Sequence, residues 1–221
     1  MSGPVKRRAY SSPLRAEQAA ATRARILAAA RALFTERGYP TTTLDDVAAK
    51  AGVATDTVLH VFGNKKDLLH VVLDTAIGGD DAPVQFLDRK APQSMRRETD
   101  QRFQIAMFAA GMTEQLERIR PLDDILRTAA VVDADARALR DDLQLRQRRR
   151  AMRQIANWIA ANGHLKNDMA VGEAADIIWT LTSPDVHRLL CTNCGWKPAQ
   201  YQAWLCDTLQ ESLLPAPIAK A

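Results

Sequence analysis

The chain has 221 residues, 47% of them hydrophobic and 25% charged, an ordinary globular composition with room for one large core or two modest ones. No run approaches the roughly 20 apolar residues of a membrane span, and no apolar stretch follows the basic N-terminus, so neither a membrane partner nor a secretory signal is expected. Three cysteines, an odd number, argue against a disulfide framework and fit a cytoplasmic protein, while residues 1–66 hold 11 Lys/Arg against 5 Asp/Glu and the remainder 19 against 21, placing any polyanionic partner at the N-terminal end.

Residues 1–16, MSGPVKRRAYSSPLRA, contain two prolines and three serines without apolar periodicity and read as a basic mobile arm. Lys6, Arg7, Arg8 and Arg15 there either track phosphates or solubilise the chain. From Glu17 to Arg37 the sequence is alanine-rich and free of Gly and Pro, which predicts a helix burying Ile26, Ala30, Leu33 and Phe34. Arg23 and Arg25 lie near its start, within reach of backbone phosphates. Gly38 and Pro40 end it, and Tyr39 is expected to pack beneath the turn.

Leu44, Val47, Ala48 and Ala51 then fall at i, i+3, i+4 and i+7, the apolar stripe of a short helix. Thr43 stands at its N-cap, with Asp46 as a short-armed capping-box partner. Gly52 supplies the left-handed exit. Val58 and Phe62 mark a second short helix, stopped by Gly63-Asn64. Two short helices joined by a glycine turn make a helix-turn-helix, whose second helix enters the DNA major groove.

Thr42 and Thr43 stand at the first helix's N-terminus, where free N–H groups and the helix dipole favour an anion, so capping and phosphate contact are compatible roles. On the second helix, the faces away from Val58 and Phe62 carry Thr55, Asp56, Thr57 and His60, the candidates for base contact. Asp56 accepts from cytosine N4 or simply opposes the helix dipole, and His60 either reads DNA or faces solvent. No arginine on this helix offers the bidentate guanine contact, so DNA shape is expected to carry part of the specificity. Lys65 and Lys66 open a further helix, through Leu68, Leu69, Val72 and Ala76, and suit phosphate clamping. The stretch Gly78-Gly79-Asp80-Asp81-Ala82-Pro83 divides a DNA-binding domain, 17–78, from a second domain, 83–215.

The second domain shows no sustained strand-like alternation, so the fold class is all-α: a three-helix helix-turn-helix domain plus a C-terminal helical bundle. Helices are predicted over 94–117, 121–131, 134–161, 170–192 and 198–213, with breaks at Pro121, Gly163, Ser183-Pro184 and Gly195 to Pro198. The run Arg146 to Arg150 reads as a solvated face, with Asp142 pairing Arg146 at i,i+4. Phe103, Met107, Phe108, Met112, Trp158 and Trp179 are expected in the interior. Cys191 and Cys194 form a C-x-x-C pair that, with only Cys206 besides, reads as structural thiols or a thiol switch and not as a metal site. The last helix, with Trp204, Leu205, Leu209 and Leu213, is a candidate half of a dimer interface.

The stretch Thr22 to Ala76 resembles the N-terminal DNA-binding domain of TetR-family transcriptional regulators. The likeness is carried by Leu33-Phe34 before Arg37-Gly38-Tyr39, by Thr42-Thr43, and by Val47-Ala48 with Ala51-Gly52-Val53. It continues without a gap through Thr57-Val58, Phe62 and Asn64-Lys65 to Leu68-Leu69. Two departures stand out. Ala54 replaces the family's usual capping serine, so Thr55 would cap and shift the helix start by one residue. Leu59 and Val61 replace aromatic residues that commonly contact phosphates, with His60 as a candidate substitute.

The resemblance implies a homodimer on a pseudo-palindromic operator in double-stranded DNA, with recognition helices about 34–36 Å apart. It also implies a C-terminal pocket for a small-molecule effector that releases a repressor. Phe103, Met107, Trp158 and Trp179 are the expected lining, with Gln104, Asn157 or His187 as polar groups. No catalytic motif, cofactor or metal site is expected: there is no H-E-x-x-H, Walker loop or G-x-S-x-G, and the four histidines, at 60, 70, 164 and 187, are far apart in sequence. The competing reading is a helical ligand-binding or adaptor protein with a vestigial helix-turn-helix and no specific operator.

Overall fold

A computed structural model describes residues 13–80 and 84–216, and all their regular elements are helical. Among them no helix is long and apolar enough to cross a membrane. The N-terminal arm falls largely outside the described residues, but Pro13 to Ala16, assigned to it from sequence, already belong to the first helix.

Helix α1 (Pro13–Arg37) lies against α2 (Leu44–Ala51), α3 (Thr55–Phe62) and α4 (Lys65–Gly78). Ile26, Leu33, Phe34, Val47, Val58, Leu68 and Leu69 meet in one core, each at most 2% exposed. Burying each such side chain stabilises the fold by about 1.5–3 kcal/mol over leaving it in water. Tyr39 tucks beneath the α1–α2 turn with its ring 5.7 Å from that of Phe34, as its position after Gly38 predicts.

A short 3-10 turn at Phe86–Asp88 leads into α5 (Lys90–Arg97) and then α6 (Gln101–Val132), the longest helix. Pro121, expected to break the chain here, instead lies inside α6. Proline removes one helical N–H and so leaves the Glu117 carbonyl without its helical partner. Burial on both sides offsets that loss. Leu116 is held in a second core and Leu122 in the first. The real breaks lie at Asp100 and Asp133, whose carboxylates accept from the amides of Phe103 and Ala136 as N-caps.

Helix α7 (Ala134–Asp141) runs through a wide π turn (Asp142–Gln147) into α8 (Arg148–Ala160), which packs on α9 (Val171–Leu181). After the expected break at Ser183-Pro184, α10 (Pro184–His187) continues into a second π turn (Arg188–Asn193), and α11 (Pro198–Leu213) closes the bundle against α6. Of the α11 residues expected at a dimer interface, Leu205, Leu209 and Leu213 are fully buried within this single chain and form its core with Tyr201, while Trp204 is half-buried beside them.

The two cores do not follow the sequence boundary near Gly78. Leu122, Leu126 and Ala129 of α6, with Ala136, Leu139 and Leu143, close the core of α1–α4, while the first half of α6 belongs to the other. Ile119 touches both. Helix α6 is thus a beam shared by the two ends.

Candidate nucleic-acid interface

The turn that presents α3 is fixed by local chemistry. The Asp46 amide donates to Thr43 Oγ1 at 3.1 Å, and the Thr43 amide donates to the Asp46 carboxylate at 2.9 Å, the capping box that the spacing predicts. The Thr43 hydroxyl, 2.6 Å from the same carboxylate, and then the Thr43 amide hold Asp46 below the usual carboxylate range. Gly52 exits α2 at φ 66°, a left-handed conformation that costs a side-chain-bearing residue strain. Helix α3 begins at Thr55 behind Ala54, which offers no side-chain cap. The expected shift of the cap to Thr55 does not occur, because the Thr55 hydroxyl instead donates to Asp45 at 2.7 Å and ties the two helices together.

Val58 and Phe62 face inward, leaving Asp56, Leu59 and His60 on the outer face with Thr57 half-buried at its edge. The Arg23 guanidinium, read from sequence as a phosphate contact, sits 4.8 Å over the Phe62 ring and braces the end of α3 from α1. Leu59, 42% exposed, is the residue that sequence reasoning noted only as a missing aromatic. Its signal was there: it lies one position out of register with the buried Val58–Phe62 pair. An apolar side chain on such a face suits a thymine methyl.

Two expected phosphate contacts turn inward. Thr42 is fully buried, and its hydroxyl lies 2.8 Å from the Gly38 carbonyl and 3.3 Å from that of Leu33. The closing of the α1–α2 turn uses it up. Lys65 donates to the carbonyls of Tyr39 at 3.0 Å, Thr42 at 3.0 Å and Pro40 at 3.4 Å, and its ammonium stands 4.4 Å over the Tyr39 ring. Those three acceptors take all three of its N–H donors, and burial pulls its pKa down. Lys65 is therefore a brace between α4 and the turn. Lys66 stays half-exposed and pairs with Asp135 of α7 at 3.4 Å. Thr43 is exposed at the α2 N-terminus beside Thr41.

In the other half, the expected pocket residues do not converge. Phe103 is 58% exposed. Trp158 is half-buried under Arg96, and Met107 is half-buried against the second core. Trp179 donates its indole N–H to the Gln144 carbonyl at 3.1 Å, with the guanidiniums of Arg148 and Arg149 stacked over its ring. Arg146 pairs with Asp142 at 2.6 Å as predicted, but Arg148, read as part of the same solvated face, points inside to the Trp179 carbonyl and to Thr182. Burial brings its pKa down to about 10.

A cavity of about 840 Å³ opens elsewhere, between α4, α6 and the α7–α8 helix. Its walls include Val71 and Met112, with Gln115, Asp123, Gln144 and Arg148 as polar groups. Burial pushes the Asp123 carboxyl up to about 6, against the pull of Arg140. None of Phe103, Met107, Trp158 and Trp179 lines this space.

Residues 26–72 match the family model described as bacterial regulatory proteins, tetR family. Over 59 residues the chain is 42% identical to the HTH-type transcriptional regulator TtgR of Pseudomonas putida, covering 27% of this chain and 28% of that protein. Over 55 residues it is 40% identical to the HTH-type transcriptional regulator HbdR of an Aromatoleum species, covering 25% and 24%. These alignments thus span about a quarter of each of these two relatives. Solved structures extend the likeness of fold to nearly the whole chain. NalD, the secondary repressor of the MexAB-OprM multidrug efflux pump in Pseudomonas aeruginosa, superposes with a TM-score of 0.66 at 19% identity over 90% of this chain and 98% of that one. The fatty acid degradation regulator FadR from Bacillus halodurans gives 0.67 at 19% identity over 85% and 94%.

Proposed function

We propose that this chain, whose residues 26–72 match the tetR family of bacterial regulatory proteins, is a homodimeric, sequence-specific DNA-binding repressor released by a small-molecule effector. The observation that carries this reading is the outer face of α3. A helix closed on its inner side by Val58 and Phe62 presents Asp56, Leu59 and His60 outward, with Thr55 and Thr57 at its margins. That surface offers an acceptor for cytosine N4, a methyl contact for thymine and a hydrogen-bonding imidazole. Thr43 and Lys66 flank it as phosphate contacts.

The effector reading rests on the cavity against α4, which falls in the size range of small-molecule sites. Apolar walls with glutamines, a buried carboxyl and an arginine fit an amphiphilic molecule carrying polar groups. By differing in affinity for two tilts of α4, such a ligand would shift the spacing of the α3 helices in a dimer.

A second reading, a helical ligand-binding or adaptor protein, draws support from the inward turn of Thr42 and Lys65, which thins the phosphate contacts. One experiment separates the two. Purified protein selects fragments of its source genome at two salt concentrations, and Thr57→Ala/His60→Ala is run beside it. A single enriched palindrome at near-physiological salt, lost in the double variant, supports the repressor. Weak binding without enrichment that vanishes as salt rises means phosphate contact alone and favours the adaptor.

A further inference from the structure

Three side chains at the joint between α6 and α10 serve none of the contacts described so far. Glu117 comes from α6, His187 from the end of α10, and Cys191 from the π turn that follows it. One ligand-capable atom from each lies within 4.8 Å of the others. His187 is 1% exposed, with its ring edge-on to Tyr201 at 4.7 Å. Its Nε2 faces Glu117 Oε1 at 3.1 Å, an ion-pair distance, yet neither buried atom makes a well-aligned hydrogen bond. Buried polar atoms so poorly aligned leave lone pairs that another partner could take. Two ligands held at about 2.0–2.1 Å around one tetrahedral ion would themselves stand about 3.3 Å apart, close to the spacing seen.

We propose that Glu117, His187 and Cys191 bind a divalent transition-metal ion of borderline softness, of the zinc class, with water in the fourth position. The donor set fits that chemistry: one carboxylate oxygen, one imidazole nitrogen and one thiolate sulfur. Two anionic ligands and one neutral ligand also neutralise a divalent ion, as a partly buried site favours. Because a thiol binds metal as the thiolate, metal uptake would release a proton from Cys191. Arg120 is the cation that faces both His187 and Cys191. Glu117 also lines a surface groove with Thr113 and Pro198. Cys194, exposed and outside the cluster, takes no part, so the site is not the C-x-x-C pair.

The test is titration of the chelator-treated, tag-free full chain with Co²⁺ alone, followed by displacement with Zn²⁺. The expected result is one ion per chain, visible bands of tetrahedral cobalt and a near-ultraviolet thiolate charge-transfer band. Cys191→Ser should abolish the charge-transfer band, and Glu117→Gln should weaken binding by at least about tenfold. Cys194→Ser should leave both unchanged. Because His187→Gln disturbs a buried ring, the Glu117 and Cys191 variants carry the test, with far-ultraviolet circular dichroism showing that each is folded. Absence of cobalt binding overturns the proposal. So does binding that survives Glu117→Gln and disappears in Cys194→Ser, which would put the ion on the cysteine pair.

Discussion

The α1–α4 end and the α6–α11 end are built by different kinds of interaction. In the first, the decisive contacts are short in sequence: Thr43 with Asp46, the Gly52 exit, and the Asn64 cap that accepts from Asp67 at 2.9 Å. In the second, they are long: Arg148 with Trp179, Trp179 with Gln144, and Glu117 with His187. Local capping places a recognition helix wherever the motif occurs. A cavity or a buried ligand cluster exists only once distant helices have docked. The beam α6 belongs to both regimes, and the largest expected effects lie there.

Leu126 is 1% exposed and lies in α6, beyond the sequence boundary, yet it packs in the α1–α4 core. Leu126→Ala should cost about 2–5 kcal/mol. Hydrogen exchange should show protection lost in α1 and α4 as well as in the second half of α6. Loss confined to α6–α11 would mean that the cores divide at the sequence boundary after all.

The same contrast explains what could be read from the chain alone. The apolar spacing of Leu44 to Ala51, the glycine exit and the Val58–Phe62 pair are properties of a few neighbouring residues, and the structure reproduces them. The 198–213 helix also falls where predicted. Pro121 misled because the local cost of a proline is outweighed by burial of Leu116 and Leu122 on either side. Thr42 and Lys65 misled for a related reason. Their residue types suit phosphate, but carbonyls on the α1–α2 turn, brought close by folding, claim their donors first. The cavity was illegible because its polar lining comes from Gln115, Asp123, Gln144 and Arg148, which no single periodicity links. Large aromatic residues looked the better candidates and proved to pack elsewhere.

Asp123 tests the docked region next. Its folded pKa, about 6, lies above the unfolded value of about 3.9, so the folded state holds the proton more tightly. The Asp123 contribution to stability should therefore be greatest below about pH 4, fall as pH rises through 6, and level off once both states are ionised. Asp123→Asn keeps the site neutral throughout. Relative to the parent chain it should gain up to about 3 kcal/mol above pH 6 and little below pH 4. A difference that stays flat across this range in urea melts would mean that the carboxyl is solvated. Arg140, Arg127, Asp124 and Asp185 are the charges around it, so the comparison is made at constant ionic strength.

For the local regime the corresponding change is Thr43→Ala. Removing the α2 cap should cost about 0.5–2 kcal/mol, measured by thermal or urea unfolding. Thr43→Ser, which keeps the hydroxyl that accepts from the Asp46 amide and donates to its carboxylate, should restore most of it. If the serine variant regains stability but not DNA affinity, the capping and phosphate roles of position 43 are separated.

The smallest effect lies where the two regions touch. Lys66 of α4 and Asp135 of α7 form a half-exposed pair at 3.4 Å, and such pairs contribute only about 0.2–1 kcal/mol. Stability alone would hardly register its loss. DNA binding should, because Lys66 cannot hold Asp135 and a phosphate equally well. Lys66→Ala should lower affinity and reduce the dependence of log K on log salt by about one contact. Asp135→Ala should raise affinity, since it frees the lysine and removes a nearby negative charge. If both variants weaken binding together, the pair is acting as a strut that sets the tilt of α4. The link between the two regions would then be mechanical and not electrostatic.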